Sequence, residues 1–266
     1  LERQVFERLK RWEEQKQRCS RLKRLENACV YALLDTTVSD SRFLQYVQAG
    51  VDVIQLRDKD ATDRAIVLAG HRWKTILDSS CALGTAPLLI MNDRADLAFC
   101  AEFDGVHVGQ DELYVEDVRR IVGPDMVIGV STHDMNEVRA AIAAKADYLG
   151  LGPVFPTQTK QCDRFPGTVF LQEVANASVT IPSFAIGGID ATNAADIAAT
   201  GIRKVAVCSC LTKADDLAEA VDQLKSILNP KPEVPDEGEA QEQNTEEIQG
   251  IDDSAESKPD AEQSQE

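Results

Sequence analysis

One feature restricts this chain more than any other: a short apolar run followed by a helical stretch recurs eight times. The runs are CVYALL (29–34), VDVIQL (51–56), PLLIM (87–91), GVHV (105–108), MVIGV (126–130), DYLGLG (147–152), SFAIG (183–187) and KVAVC (204–208). Each is too short for a helix and too uniformly apolar for a strand with one wet face, which suits parallel strands covered on both sides. The segments between them, such as DRAIVLAGHRWKTILDSSCA and TNAADIAATG, carry the helical period. Eight such units in about 200 residues predict a (β/α)8 TIM barrel rather than an open doubly wound sheet. An open sheet would carry a glycine fingerprint after its first strand, and here the first strand runs into LDTTVSD.

Both ends of the chain differ from this pattern. Residues 1–27 read as a helical extension, with Val5, Leu9, Trp12, Cys19 and Leu22 on one stripe interrupted by Lys16. That stripe is expected to pack on the barrel or on a partner. Residues 28–229 form the barrel domain. Residues 230–266 are rich in Pro, Glu and Gln and are expected to be a disordered acidic tail. Of the formal charge of −17, −11 falls in that tail, so the remainder carries only −6. No basic surface dominates, which argues against a nucleic-acid partner. No apolar run approaches the ~18 residues of a membrane span, and the charged N-terminal stretch does not read as a signal peptide. Seven cysteines at irregular spacing, without a C-x-x-C pair, fit free thiols in a cytoplasmic protein rather than a disulfide framework or a zinc site. A homo-oligomer is compatible with the sequence but is not read from it.

In a barrel of this type the chemistry sits at the C-terminal ends of the strands. Polar residues gather there: Gln55, Arg57 and Lys59 after the second strand, Asn92 and Asp93 after the third, and Gln110, Asp111 and Glu112 after the fourth. Ser131, Thr132 and His133 follow the fifth, Thr157, Thr159 and Lys160 the sixth, Gly187 and Gly188 the seventh, and Ser209 the eighth. Any one of these reads equally well as a helix cap or turn residue. Taken together, Arg57, Lys59 and Lys160 offer three cations to an anionic ligand. Asp93 and Glu112 offer the oxygen ligands that Mg2+ prefers while it bridges to substrate phosphates. The glycines of AIGGI (185–189) and the turn CSC (208–210) offer backbone to a second phosphate. The mouth therefore reads as built for two small-molecule substrates, one a diphosphate with Mg2+ and one a monophosphate.

The motifs QLRDK (55–59), NDRADLA (92–98), DGVHVGQDE (104–112), GVSTH (129–133), DYLGLGPVFPTQTK (147–160), AIGGI (185–189) and VCSC (207–210) resemble, in order, those of the thiamine-phosphate synthase (thiamine-phosphate pyrophosphorylase) family. The resemblance covers residues 28–228 and neither end. It implies a transferase of thiamine biosynthesis joining a pyrimidine diphosphate to a thiazole phosphate. It implies that Gln55, Leu56, Arg57, Asp58, Lys59, Asn92, Ser131 and Lys160 contact the pyrimidine diphosphate, with Arg57, Lys59, Ser131 and Lys160 as the catalytic set. It implies that Thr157, Gln158, Thr159, Gly188, Cys208 and Ser209 contact the thiazole phosphate, and that Asp93 and Glu112 hold Mg2+. The family usually has Asp where Glu112 stands, so Asp111 remains an alternative ligand. Two other functions compete: a thiazole tautomerase on the same barrel, which lacks the diphosphate and Mg2+ residues, and a catalytically silent phosphate-binding barrel.

Overall fold

The computed structural model describes residues 2–82, 84–156 and 165–230, without the side chains of residues 2–5, 8 and 11. The disorder expected of the acidic tail lies outside the described residues, Pro230 excepted. Eight parallel strands close into a barrel in sequence order. They are β1 (Val30–Leu34), β2 (Val53–Leu56), β3 (Leu88–Asn92), β4 (Gly105–Val108), β5 (Val127–Thr132), β6 (Tyr148–Leu151), β7 (Ser183–Ile186) and β8 (Val205–Val207). Every apolar run of the sequence became a strand. The fifth runs two residues further than expected, through Ser131 and Thr132.

The helices are α1 (Glu2–Asn27), α2 (Asp40–Gln48), α3 (Asp63–Ser80), α4 (Ala95–Cys100), α5 (Val115–Val122), α6 (Met135–Ala143), α7 (Gly167–Asn176), α8 (Ala194–Ala199), α9 (Ser209–Thr212) and α10 (Leu217–Leu228). Local chemistry sets several of their starts. Ser39, Thr62, Asp134 and Asp216 each accept a hydrogen bond from a first-turn backbone N–H at the head of α2, α3, α6 and α10.

Alternation along the strands divides the core in two. Ile54, Leu56, Leu89, Met91, Val106 and Ile128 point outward and pack under the helices. Tyr31, Leu33, Val53, Leu88, Ile90, Val127, Tyr148 and Phe184 point inward and fill the barrel. Tyr148 lies across its register partner Gly129, where a Cβ would stand 2.1 Å from the ring. Glycine is required there to admit the tyrosine.

The N-terminal end of the barrel is closed by charge as well as by packing. Asp52, Asp104 and Asp147 precede β2, β4 and β6, and each accepts hydrogen bonds from backbone N–H groups at the start of the preceding strand. Each also meets a cation: Lys225 at Asp52, Arg21 at Asp104, and both Arg18 and Arg119 at Asp147. Arg18 and Arg21 belong to α1, and Arg24 of α1 donates to the Ala86 carbonyl. Leu25 of α1 is fully buried against the inward-facing layer. Of the two partners expected for the stripe, the barrel takes only its C-terminal end. The second half of α1 docks through Arg18, Arg21, Arg24 and Leu25, with Leu22 partly buried, while Leu9, Trp12 and Cys19 are exposed.

Candidate active site

The C-terminal ends of the strands surround a cavity of about 560 Å³. Its lining includes Arg57, His133, Gly188, Cys208, Ser209 and Lys213. Arg57 follows β2, and its backbone N–H donates to the Leu34 carbonyl at 2.8 Å, which fixes where its side chain leaves the strand. Lys59 is exposed at the rim. Gln55 faces inward and is buried, donating to the Tyr31 hydroxyl at 2.8 Å. Leu56 faces outward into the layer beneath the helices, so of this residue the backbone alone faces the mouth. The Asp58 carboxylate is taken up locally. It accepts from the Thr36 hydroxyl at 2.6 Å and from the backbone N–H groups of Thr36, Asp60 and Ala61. These bonds, the Thr36 hydroxyl foremost, hold its carboxyl below the usual carboxylate range.

A polar chain crosses the barrel interior towards Ser131. The Tyr31 hydroxyl lies 3.1 Å from that of Tyr148, which lies 3.2 Å from His107 Nδ1. His107 Nε2 lies 2.9 Å from Ser131 Oγ, and Gln110 Nε2 donates to the Ser131 carbonyl at 2.6 Å. Burial holds both tyrosines well above their ordinary pKa, so they remain neutral hydrogen-bonding groups.

Asp93 and Glu112 form the acidic side of the mouth. Asp93 has a left-handed backbone (φ 60°), and its N–H donates to the His107 carbonyl at 2.7 Å. A non-glycine residue held there costs about 1 kcal/mol or more and marks a position imposed by its surroundings. Asn92 Nδ2 donates to the Asp93 carboxylate at 2.7 Å. Burial, followed by the negative charge of Glu112, raises the Asp93 carboxyl, while Lys59 and Arg57 oppose the shift. Two neighbouring carboxylates beside two cations fit an oxygen-preferring divalent cation. Glu112 folds back over Gly109, where a Cβ would stand 2.5 Å from Glu112 Oε2, whereas Asp111 is exposed.

The opposite side of the cavity is backbone-rich. Gly188 has φ 63°, and a Cβ there would meet the Pro156 carbonyl oxygen at 2.4 Å. Asn193 Nδ2 donates to the Gly188 carbonyl at 2.8 Å and holds the loop. Cys208 packs towards the barrel interior, and burial pushes its thiol above its ordinary value, so no thiolate is set in the cavity. Thr157, Gln158, Thr159 and Lys160 lie outside the described residues. Lys213 is a lining residue that the strand-end reading missed. It lies four residues after Ser209, one helical turn on, and that spacing was the available signal.

Comparison with known proteins agrees with this geometry. The thiamine monophosphate synthase family model matches residues 31–211. The thiamine-phosphate synthase of Rhodopirellula baltica is 41% identical over 221 residues, covering 80% of this chain and 58% of its own length. That of Mycobacterium sp. (strain KMS) is 38% identical over 212 residues, covering 77% of this chain and 94% of its own. The chain thus spans little more than half of the first relative and nearly all of the second. The solved thiamine phosphate pyrophosphorylase of Pyrococcus furiosus superposes with a TM-score of 0.65 at 30% identity, over 75% of this chain and 94% of that one. A family model over most of the chain, relatives of this identity and a shared barrel place the chain in the thiamine-phosphate synthase family.

Proposed function

We propose that this mouth joins two phosphorylated heterocycles by electrostatic stabilisation of a leaving diphosphate. As a member of its family the chain is a transferase of thiamine biosynthesis. It condenses 4-amino-5-hydroxymethyl-2-methylpyrimidine diphosphate with 4-methyl-5-(2-hydroxyethyl)thiazole phosphate, giving thiamine monophosphate and diphosphate. The observation that carries the reading is the position of Arg57. It lines the backbone-rich cavity, and its charge together with that of Lys59 is felt at Asp93 beside Glu112. Arg57 therefore stands between a carboxylate pair and the cavity.

In this reading the diphosphate lies against Arg57, Lys59, Asn92 and Lys160, with Ser131 and Gln55 towards the pyrimidine. Asp93 and Glu112 would hold Mg2+, which would supply positive charge to the leaving diphosphate. Cleavage of the methylene C–O bond sends the electron pair to the diphosphate and leaves a cation delocalised into the aminopyrimidine. Arg57, Lys59 and Lys160 stabilise the departing charge electrostatically. The thiazole nitrogen then supplies the pair for the new C–N bond. That nitrogen carries no proton, so no general base is required. The thiazole phosphate sits on the backbone of Gly188, Cys208 and Ser209, and Thr157, Gln158 and Thr159 are its further contacts. The free thiols among the described residues support the expected cytoplasmic location.

The test is diphosphate release by the purified chain. Release is expected only with both substrates and Mg2+ present, one diphosphate per thiamine monophosphate formed. Isomerisation of a thiazole phosphate without diphosphate release would assign the tautomerase reaction instead. Ligand binding without turnover would assign the silent barrel.

A further inference from the structure

α1 presents two different faces along its length. The residues that dock the barrel, Arg18, Arg21, Arg24 and Leu25, lie in its second half. In its first half Phe6, Leu9 and Trp12 are 66%, 58% and 61% exposed. At ~100° per residue, Trp12 stands about 120° and Leu9 about 180° around the helix from Arg18. This stripe therefore points away from the chain's own barrel. Exposed apolar residues clustered along a helix mark an interaction surface rather than ordinary solvated surface.

The spacing indicates what covers it. Val5, Leu9, Trp12, Lys16 and Cys19 follow one another at intervals of four and three, the 3.5-residue period of a coiled-coil seam. We propose that the first half of α1 pairs in parallel with α1 of a second copy of this chain, with Leu9 and Lys16 at a and Val5, Trp12 and Cys19 at d.

Two features agree with this register. The barrel-docking residues Arg18 and Leu25 fall at c, Arg21 at f and Arg24 at b, with Leu22 at g where the seam ends, so both barrels lie on the outer side of the pair. In a parallel pair, position g of one helix meets e of the following heptad of the other. Here that sets Gln15 against Ser20 of the second copy, while in the a layer Lys16 meets its own counterpart, a like-charge contact that weakens the pair. Phe6 at e widens the apolar strip on one flank. Finally, Lys16 occupies an a position, where a single polar residue fixes register and strand number at a cost in stability. Its Nζ lies 5.2 Å from the centre of the Trp12 ring, so the ammonium sits over an aromatic partner within the seam. Two heptads make a short seam, so the dimer is reversible.

The experiment uses the full chain. Sedimentation velocity over a concentration series is expected to show a monomer passing to a dimer of twice the mass. Leu9→Glu combined with Trp12→Glu is expected to hold the chain monomeric, with diphosphate release and melting temperature unchanged. Mild oxidation is expected to link the two copies through Cys19, and Cys19→Ser to abolish the link. Lys16→Leu is expected to tighten association at least tenfold. A chain monomeric at every concentration, whatever else its stripe engages, overturns the proposal. So does a dimer that survives the double substitution. A dimer lost on double substitution yet never linked through Cys19 overturns the parallel register.

Discussion

His107 Nε2 stands 2.9 Å from Ser131 Oγ, although the register partner of His107 is Gly129, two residues earlier on β5. Two glycines permit this reach. Gly129 leaves room for the Tyr148 ring, and Gly150 lets the imidazole pass, since a Cβ there would approach His107 Cε1 to 3.2 Å. The imidazole is thereby held between the Tyr148 hydroxyl and Ser131.

Tyr148→Phe should uncouple this chain. It removes one partner each from Tyr31 and from His107 Nδ1, both within the barrel. A stability loss of about 1–3 kcal/mol is expected from buried polar groups left with fewer partners. Turnover should fall by about tenfold, the factor set by ~1.4 kcal/mol, as Ser131 loses its fixed neighbour. Thermal melts and saturating kinetics measure the two effects. Wild-type turnover in this variant would detach the polar chain from catalysis.

Gly188→Ala tests the phosphate side. The new Cβ would meet the Pro156 carbonyl and Phe155, in a backbone conformation that disfavours a side chain. The loop must shift, so KM for the thiazole phosphate should rise about tenfold or more while KM for the pyrimidine diphosphate changes little. Such a split identifies lost ground-state binding. Equal rises in both would place Gly188 between the substrates.

The carboxylate pair predicts a metal dependence. Asp93→Ala and Glu112→Ala should each reduce turnover by about 10²-fold or more, as for a lost electrostatic stabiliser. Asp111→Ala should stay near wild type, because Asp111 is exposed while the charge of Glu112 is the one felt at Asp93. Chelation should abolish the reaction and added Mg2+ restore it. If Asp111→Ala were the damaging change, the second ligand would lie one residue earlier.

The barrel was legible because eight apolar runs can all be covered only when every strand is buried on both faces. Much of the mouth was legible because strand ends converge in that fold. Leu56 and Asp58 show the limit of a contiguous motif. Alternation turns Leu56 outward, and Asp58 is engaged by Thr36 of the preceding βα loop. The docking of α1 on the barrel was less legible, for a different reason. An apolar stripe is the usual signal of packing, but this helix docks largely through arginines that meet aspartates placed before β4 and β6. The recurrence of Asp before alternate strands was present in the sequence, in VDVIQL, FDGVHV and ADYLGLG.

The Thr36–Asp58 bond makes a statement about acid. The carboxyl of Asp58 is lowered in the folded state, so its ionised form contributes stability above the ordinary carboxylate value. That contribution is lost as pH falls from the ordinary value through the lowered one. Thr36→Val removes the hydroxyl donor and should bring the Asp58 carboxyl back towards its ordinary value. The variant should then lose less stability than wild type across that acid window, starting from a lower plateau at neutral pH. A carbon-detected NMR titration of Asp58 gives the shift directly. An unchanged Asp58 midpoint in Thr36→Val would remove the hydroxyl as its main cause.

Asp147 is the most buried of the three aspartates that close the N-terminal face of the barrel. It is 7% exposed, its carboxylate meets Arg119 at 2.7 Å and Arg18 on its other oxygen, and it accepts from the Ile128 N–H at 2.8 Å. Burial lowers the pKa of Arg119, with Asp147 opposing that shift. Asp147→Ala would leave two guanidinium groups and one strand N–H without it. Breaking a buried pair from one side costs about 3–5 kcal/mol. The arginines are about a quarter exposed, so the lower end is expected. At ~2–4 °C per kcal/mol for a domain of this size, the melting temperature should fall by roughly 6–12 °C. Arg18→Ala should cost less, because Arg119 still pairs with the carboxylate, but it should loosen α1 selectively. Amide exchange in residues 18–25 should then quicken while exchange in β5 and β6 stays slow. If Arg18→Ala were as destabilising as Asp147→Ala, the helix rather than the carboxylate would be holding this end of the barrel closed.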